Sequence, residues 1–202
     1  MQSIDNKVIS RIYGTGRGAV FSPSDFSDLG SRTTVATALK RHKQAGIIRQ
    51  VARGLYDLPR KDPVLGLLSP RLDSIAKALA KRDAARLQAA GGSAAHALGL
   101  TDQVPMRVVY LTDGRARHVQ VGKSLIVFRK VSLRQMAAAG RVSGDVIQAL
   151  RWLGRDHIDD QIIVQLRKVL TPSQKAKLLK DLRLAPIWVA DIMRRIAQKG
   201  RA

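Results

Sequence analysis

The 202-residue chain carries 36 Lys+Arg against 15 Asp+Glu, a formal net charge of +21, with 45% hydrophobic residues and no cysteine. That length admits one large or two small domains. The apolar share excludes a mainly disordered chain, and the lack of cysteine excludes disulfides and thiolate metal sites. A surplus of cations this large suits a polyanionic partner, although a generally basic proteome gives the same balance.

The first residues, Met1 to Asp5, show no basic region ahead of an apolar run, and no stretch approaches the roughly 18 uninterrupted apolar residues of a membrane helix. A soluble cytoplasmic protein without membrane association is expected. Ile4, Val8, Ile9 and Ile12 stand at helical spacing and predict a first helix over Ile4 to Tyr13. Gly14, Gly16 and Gly18 break it, and Ala19-Val20-Phe21 suits a short strand. Ser22-Pro23-Ser24-Asp25 starts a short helix that ends by Gly30. Ser31 then caps a third helix through His42, with the turn at Gly46 after it. Its apolar stripe is Val35, Ala38, Leu39 and His42, where His42 reads as a packing residue. Two strand-like runs follow, Ile47 to Ala52 and Leu55 to Leu58, joined through Arg53-Gly54.

Helix, short strand, helix, helix and basic hairpin in this order predict a winged helix-turn-helix over residues 1–62. A helix sized for the major groove beside such a hairpin is equipment for duplex DNA. The candidate contacts on the helix are Ser31, Arg32, Thr33, Thr34, Thr37, Lys40, Arg41 and Gln44. Arg49 in the first wing strand and Arg53 at its tip complete the set. Short hydroxyl side chains suit base edges, and cations suit phosphates.

Arg60-Lys61-Asp62-Pro63 is the expected domain boundary, closed by Pro70. The second domain, 63–202, is predicted as α+β with a small sheet and several helices. It opens with a long helix over Leu72 to Gln88, ended by Gly91-Gly92, and a short one over Ser93 to Leu98. Strands are expected at Arg107 to Leu111, Arg117 to Val121 and Ser124 to Arg129, turning at Asp113-Gly114 and Gly122-Lys123. Helices are then expected at Ser132 to Ala139, Gly144 to Leu153, Asp159 to Leu170, Ser173 to Asp181 and Ile187 to Lys199.

Catalytic patterns fail on spacing. Gly91-Gly92-Ser93 resembles the opening of a nucleotidyltransferase site, which also needs two closely spaced carboxylates for Mg²⁺. The position two residues beyond Asp102 is Val104, and the one two beyond Asp113 is Arg115. Asp159 and Asp160 suit a helix start. His42, His96, His118 and His157 form no HExxH or similar pattern, and Gly14 to Gly18 lacks the GK[ST] ending of a P-loop. No catalytic residue, cofactor or metal is expected.

The chain resembles the AbiEi-type antitoxins of bacterial type IV toxin–antitoxin systems. The likeness is carried by Thr33-Thr34-Val35 to Leu39, Gly46-Ile47-Ile48 and Arg53-Gly54-Leu55-Tyr56. It continues through Gly92 to Pro105 (GSAAHALGLTDQVP) and then Tyr110-Leu111-Thr112-Asp113-Gly114. His42 departs from the pattern, where a leucine-like residue is usual. The resemblance implies an N-terminal domain that binds inverted repeats in its own promoter and represses the operon. It also implies a C-terminal domain that counters a nucleotidyltransferase-like toxin without a stable complex. On that reading Arg115, Arg117 and Lys123 form the antitoxin or nucleic-acid surface. A stand-alone DNA-binding regulator and an RNA-directed protein are the alternatives.

Overall fold

A computed structural model describes residues 3–102 and 107–198. Gln103, Val104 and Pro105 of the second motif, and Lys199 at the expected end of the last helix, lie outside the described residues, as do Met1 and Gln2. The fold is α+β and forms two compact units: residues 1–85 with 119–122, and residues 86–118 with 123–202.

The first unit begins with α1 (Ile4–Thr15), capped by the Ser3 side chain, which accepts from the Asn6 N–H. After it come β1 (Val20–Phe21) and a single 3₁₀ turn, Pro23–Phe26. Ser22 and Asp25 form a capping box around that turn. The short helix expected to end by Gly30 is this one turn, and no further helix follows it before Gly30. Instead Asp28 pairs with Arg11 of α1 at 2.6 Å, and Gly30 fits closely against Ile4, where a Cβ would lie 2.8 Å from Cδ1. Then come α2 (Arg32–Gln44), β2 (Arg49–Ala52) and β3 (Leu55–Asp57). The sheet order is β1-β3-β2, antiparallel throughout, as in a winged helix. Val8, Ile12, Phe21, Phe26, Val35, Leu39 and Ile48 fill its core, with the Phe21 and Phe26 rings edge to face at 5.5 Å.

This unit continues past the expected boundary at residues 62 and 63. Arg60–Asp62 (β4) and Gly66–Leu68 (β5) form an antiparallel hairpin. Asp62 closes its turn by accepting from the N–H groups of Val64 and Leu65, and Gly66 takes φ +72°. Leu72–Arg82 (α3) then buries Ile75, Ala76 and Leu79 and packs on β1 and β3. The helix expected to reach Gln88 stops at Arg82. Ala84 adopts φ +49°, and Leu87–Ala89 (β6) leaves as a strand.

A four-stranded sheet has the order β6-β7-β9-β8, with β7 at Arg107–Thr112, β8 at Arg117–Val121 and β9 at Ser124–Lys130. β6 runs antiparallel to β7, whereas β7 and β9 are parallel. Asp113-Gly114 is therefore no hairpin turn between neighbours. The Asp113 carboxylate accepts from the Arg86 N–H at 2.8 Å and from its Nε at 2.7 Å, fixing the entry to β6. Residues Ser132 to Ala139, expected as a helix, form successive turns.

Five helices build the main core: α4 (Gly92–Ala97), α5 (Val142–Leu153), α6 (Asp160–Val169), α7 (Pro172–Lys180) and α8 (Ile187–Ala197). Ala95, Val146, Leu150, Leu166, Leu178 and Met193 are wholly buried there. Buried Asp181 accepts from Arg141 Nη1 at 2.7 Å and Ser143 Oγ at 2.5 Å, tying α5 to the end of α7. Gln88 of β6 donates to Asp145 of α5 at 2.6 Å, and its amide fills the space beside Gly144.

Two glycine substitutions should have opposite signs. A Cβ at Gly144 collides with Gln88 Oε1 and with the Ala138 carbonyl, which is backbone and cannot swing aside. Gly144→Ala should therefore cost about 1–3 kcal/mol. Gly14 lies in α1 with nothing near its missing Cβ. Gly14→Ala should be neutral or add up to about 1 kcal/mol. Chemical denaturation of both variants checks the pair.

Acid sensitivity follows from four aspartates held below their usual pKa. Arg11 lowers Asp28, and the Leu65 and Val64 N–H groups lower Asp62. Arg86 lowers Asp113 by side-chain and then backbone hydrogen bonding. Burial pushes Asp25 up, but its hydrogen bonds from Lys81 and Ser22 outweigh that and the net direction is down. A depressed folded pKa contributes stability above the unfolded value of about 3.9, and that contribution is lost as pH falls through the lower folded value. Urea midpoints should owe no change to these groups between pH 7 and 5 and should fall below about pH 4. Asp113→Asn should make that acid decline shallower; an unchanged decline would remove Asp113 from the account.

Candidate nucleic-acid interface

Ser31 opens α2 by accepting from the Thr34 N–H at 3.2 Å. Its hydroxyl also lies 2.9 Å from Thr33 Oγ1 and 2.8 Å from Thr34 Oγ1, so Ser31 is occupied by its capping role. Thr37 Oγ1 donates back to the Thr33 carbonyl at 2.9 Å and keeps its acceptor capacity. Val35, Ala38, Leu39 and His42 face the core, while Arg32, Thr33, Thr34, Thr37, Lys40, Arg41 and Gln44 are exposed. No acidic residue occurs in α2. An open cleft of about 440 Å³ lies between the start of α1 and this face, lined by Ile4, Asp5, Thr33, Thr37 and Arg41 among others.

Two contacts set the position of α2. Buried His42 places Nε2 3.5 Å from Asp5 Oδ2 in the first turn of α1, a packing site with a polar contact. Lys43 Nζ donates to Gln50 Oε1 of β2 at 2.7 Å. Arg41 Nη1 stands 4.0 Å from Asp5 Oδ1, so its charge is partly offset.

The wing turns at Arg53-Gly54, where Gly54 has φ +71° and Arg82 Nη1 donates to the Arg53 carbonyl at 3.2 Å. The Arg53 residue is exposed at this tip. Arg49 has a different role from the one expected. Its Nε and Nη2 reach the two oxygens of buried Asp57 at 3.1 and 2.6 Å, and Nη2 also donates to the Leu68 carbonyl at 2.9 Å. The Arg49 guanidinium thus binds β2, β3 and the end of β5 together, and we remove it from the candidate DNA contacts.

In the second unit, Arg115 is exposed in the loop before β8, and Lys123 is exposed in the turn after it. The Arg117 guanidinium lies 4.8 Å from the centre of the Phe128 ring, a cation–π contact. Arg115 and Arg117 stand before and at the start of β8 and Lys123 in the turn beyond its end, with the strand from Arg117 to Val121, about 13 Å at 3.3 Å per residue, between them. The three cations are strung along the strand rather than gathered into one patch. The same unit contains two adjoining clefts that the sequence reading did not anticipate, around Arg151 and Trp152. Among the described residues no three His or Asp side chains gather in an arrangement able to hold a metal ion. No described helix is long and apolar enough to cross a membrane.

Among curated proteins none matches the chain. One solved structure, the RV2827C protein from Mycobacterium tuberculosis, aligns over 100% of this chain and 84% of that one, at 14% identity and a TM-score of 0.44. The model of a family of unknown function, DUF6088, matches residues 7–178. With most of its length inside that match, the chain belongs to the DUF6088 family.

Proposed function

We propose that the chain is a sequence-specific duplex-DNA-binding protein that works in the cytoplasm by binding rather than catalysis. The observation that carries this reading is the polar face of α2. It is exposed along its whole length, holds Thr and Lys/Arg side chains with no acid among them, and belongs to a winged-helix arrangement whose wing tip presents Arg53. Thr33 and Thr37 are assigned to base edges, and Arg32, Lys40, Arg41 and Arg53 to phosphates. Thr34 and Gln44 flank the reading face. The resemblance to AbiEi-type antitoxins extends the proposal to autorepression at promoter inverted repeats. It also extends it to antagonism of a nucleotidyltransferase-like toxin without a stable complex, with Arg115, Arg117 and Lys123 contributing the antitoxin or nucleic-acid surface.

Gel shifts on the chain's own promoter test the face directly. Thr33→Ala and Thr37→Ala should each weaken specific binding by roughly 1–3 kcal/mol. Unchanged promoter affinity in the double variant would sink the assignment. Arg53→Ala should reduce the slope of log K against log[salt] by about 0.9, the value for one lost phosphate contact. Arg49→Ala should act on the fold instead: it strands buried Asp57 and should cost about 3 kcal/mol of stability. Co-expression with a neighbouring toxin gene tests the wider claim, since survival must depend on this chain and fall on charge reversal at Arg115 and Lys123.

A further inference from the structure

The two clefts of the second unit share one wall. The first, about 430 Å³, is lined by Arg134, Gln148, Arg151 and Arg183 among others, and the second, about 300 Å³, by Arg129, Gln148, Arg151 and Trp152. Gln148 and Arg151 line both, so the two form adjoining parts of one groove across the outer side of α5. Each volume falls within or near the range of small-molecule sites.

The lining of this groove is cationic, with no acid in it. Arg86, Arg141, Arg194 and Arg195 each pair with an aspartate. Arg129, Arg134, Arg151 and Arg183 are exposed, and among the described residues none of them has an acidic partner. No Asp lines either cleft. Four uncompensated guanidinium groups around one concavity attract an anion of high charge density.

Trp152 adds a flat apolar surface. It lies on α5 with 48% of its surface exposed, although a tryptophan of this size is usually mostly covered. Its ring rests on the Gly91-Gly92 backbone: a Cβ at Gly91 would lie 3.2 Å from the ring and one at Gly92 3.4 Å from it. The paired glycines leave room for the indole close to the backbone, and Trp152 also lines the second cleft. A held aromatic ring between arginines is a stacking platform beside phosphate ligands. Gln148 supplies an amide that can meet a base edge whichever way it turns.

We propose that this groove binds a short stretch of single-stranded nucleic acid, with a base stacked on Trp152 and the backbone phosphates held by Arg129, Arg151, Arg134 and Arg183. The site is separate from α2 and the wing and does not rest on the duplex-binding reading. A base paired inside a duplex cannot present its face to Trp152, so the groove selects unpaired strands.

Fluorescence anisotropy of the full-length protein with labelled 12-nucleotide single strands of RNA and DNA, at fixed salt, tests it. Trp152→Ala should weaken binding roughly tenfold or more, and Trp152→Phe should restore most of the loss. Arg151→Gln and Arg129→Gln should each lower affinity and the salt slope, whereas Arg53→Ala at the wing should leave single-strand binding near native. Duplex promoter binding by Trp152→Ala should be unchanged, which separates this site from the winged helix. Native single-strand affinity in both Trp152→Ala and the folded Arg129→Gln/Arg151→Gln double variant would overturn the proposal. So would displacement by an acidic peptide as effective as an oligonucleotide of equal charge, because stacking would then contribute nothing. A mononucleotide that binds as tightly as the 12-mer would overturn the strand in favour of a free nucleotide.

Discussion

All fifteen acidic residues of the chain are aspartates, and they face thirty-six lysines and arginines. This scarcity governs the rest of the structure. An aspartate side chain is short, so it reaches a backbone N–H or one nearby cation and little else. Asp57 clamps Arg49, Asp181 clamps Arg141 and Ser143, and Asp113 clamps Arg86 at the entry to the second sheet. Asp62 and Asp159 close a turn and a helix start. Exposed pairs such as Arg194–Asp191 contribute at most about 1 kcal/mol, so the importance of the distribution lies less in stability than in selection. Where an aspartate is placed, a cation becomes structural; where none is placed, the cation keeps its field.

Among the cations so left are two basic surfaces with different character. On α2 the uncompensated side chains stand on a convex helix with hydroxyls between them, a shape that enters a groove. Around α5 they line a concavity with an aromatic ring at one side, a shape that receives a strand. Net charge alone merges the two, since +21 describes both equally well. The distinction comes from curvature and from what stands between the cations.

Local signals made the first unit legible. The stripe Val35, Ala38, Leu39, His42 and the cap at Ser31 are statements about neighbouring residues, and α2 runs where they require. The wing was readable for the same reason, because Arg53-Gly54 needs a turn with positive φ. The β4–β5 hairpin was hidden by Asp62-Pro63, which reads as a linker until Gly66 is seen to complete an Asx-closed turn. The end of α3 was hidden more deeply. Nothing in Asp83-Ala84-Ala85 forbids a helix, yet the chain turns out at Ala84, and Asp113, a partner 27 residues from Arg86, holds the start of the strand that follows. The parallel pairing of β7 with β9 likewise depends on register between distant strands, which periodicity does not encode.

Within the sites, residue type was a poorer guide than partner. Arg49 and Arg53 are both wing arginines four residues apart, yet one is bound on three sides by protein and the other stands exposed at the tip. A buried carboxylate such as Asp57 loses its hydration and must recover it from a donor, so the nearest guanidinium is withdrawn from any ligand. Trp152 illustrates the converse. Val146, Ile147, Ala149 and Leu150 form the buried apolar stripe of α5, and Trp152 falls off that stripe, two positions after Leu150. A large aromatic residue on the polar side of an amphipathic helix, next to an arginine and opposite a Gly-Gly pair, carries an apolar cost that core packing does not repay. The Gly91-Gly92 pair looked like the opening of a catalytic loop in the sequence; in the structure it is the seat that holds this ring. Its physical role is to let a flat side chain approach the backbone closely, and that role is the same whether the ring's free surface meets solvent or a base.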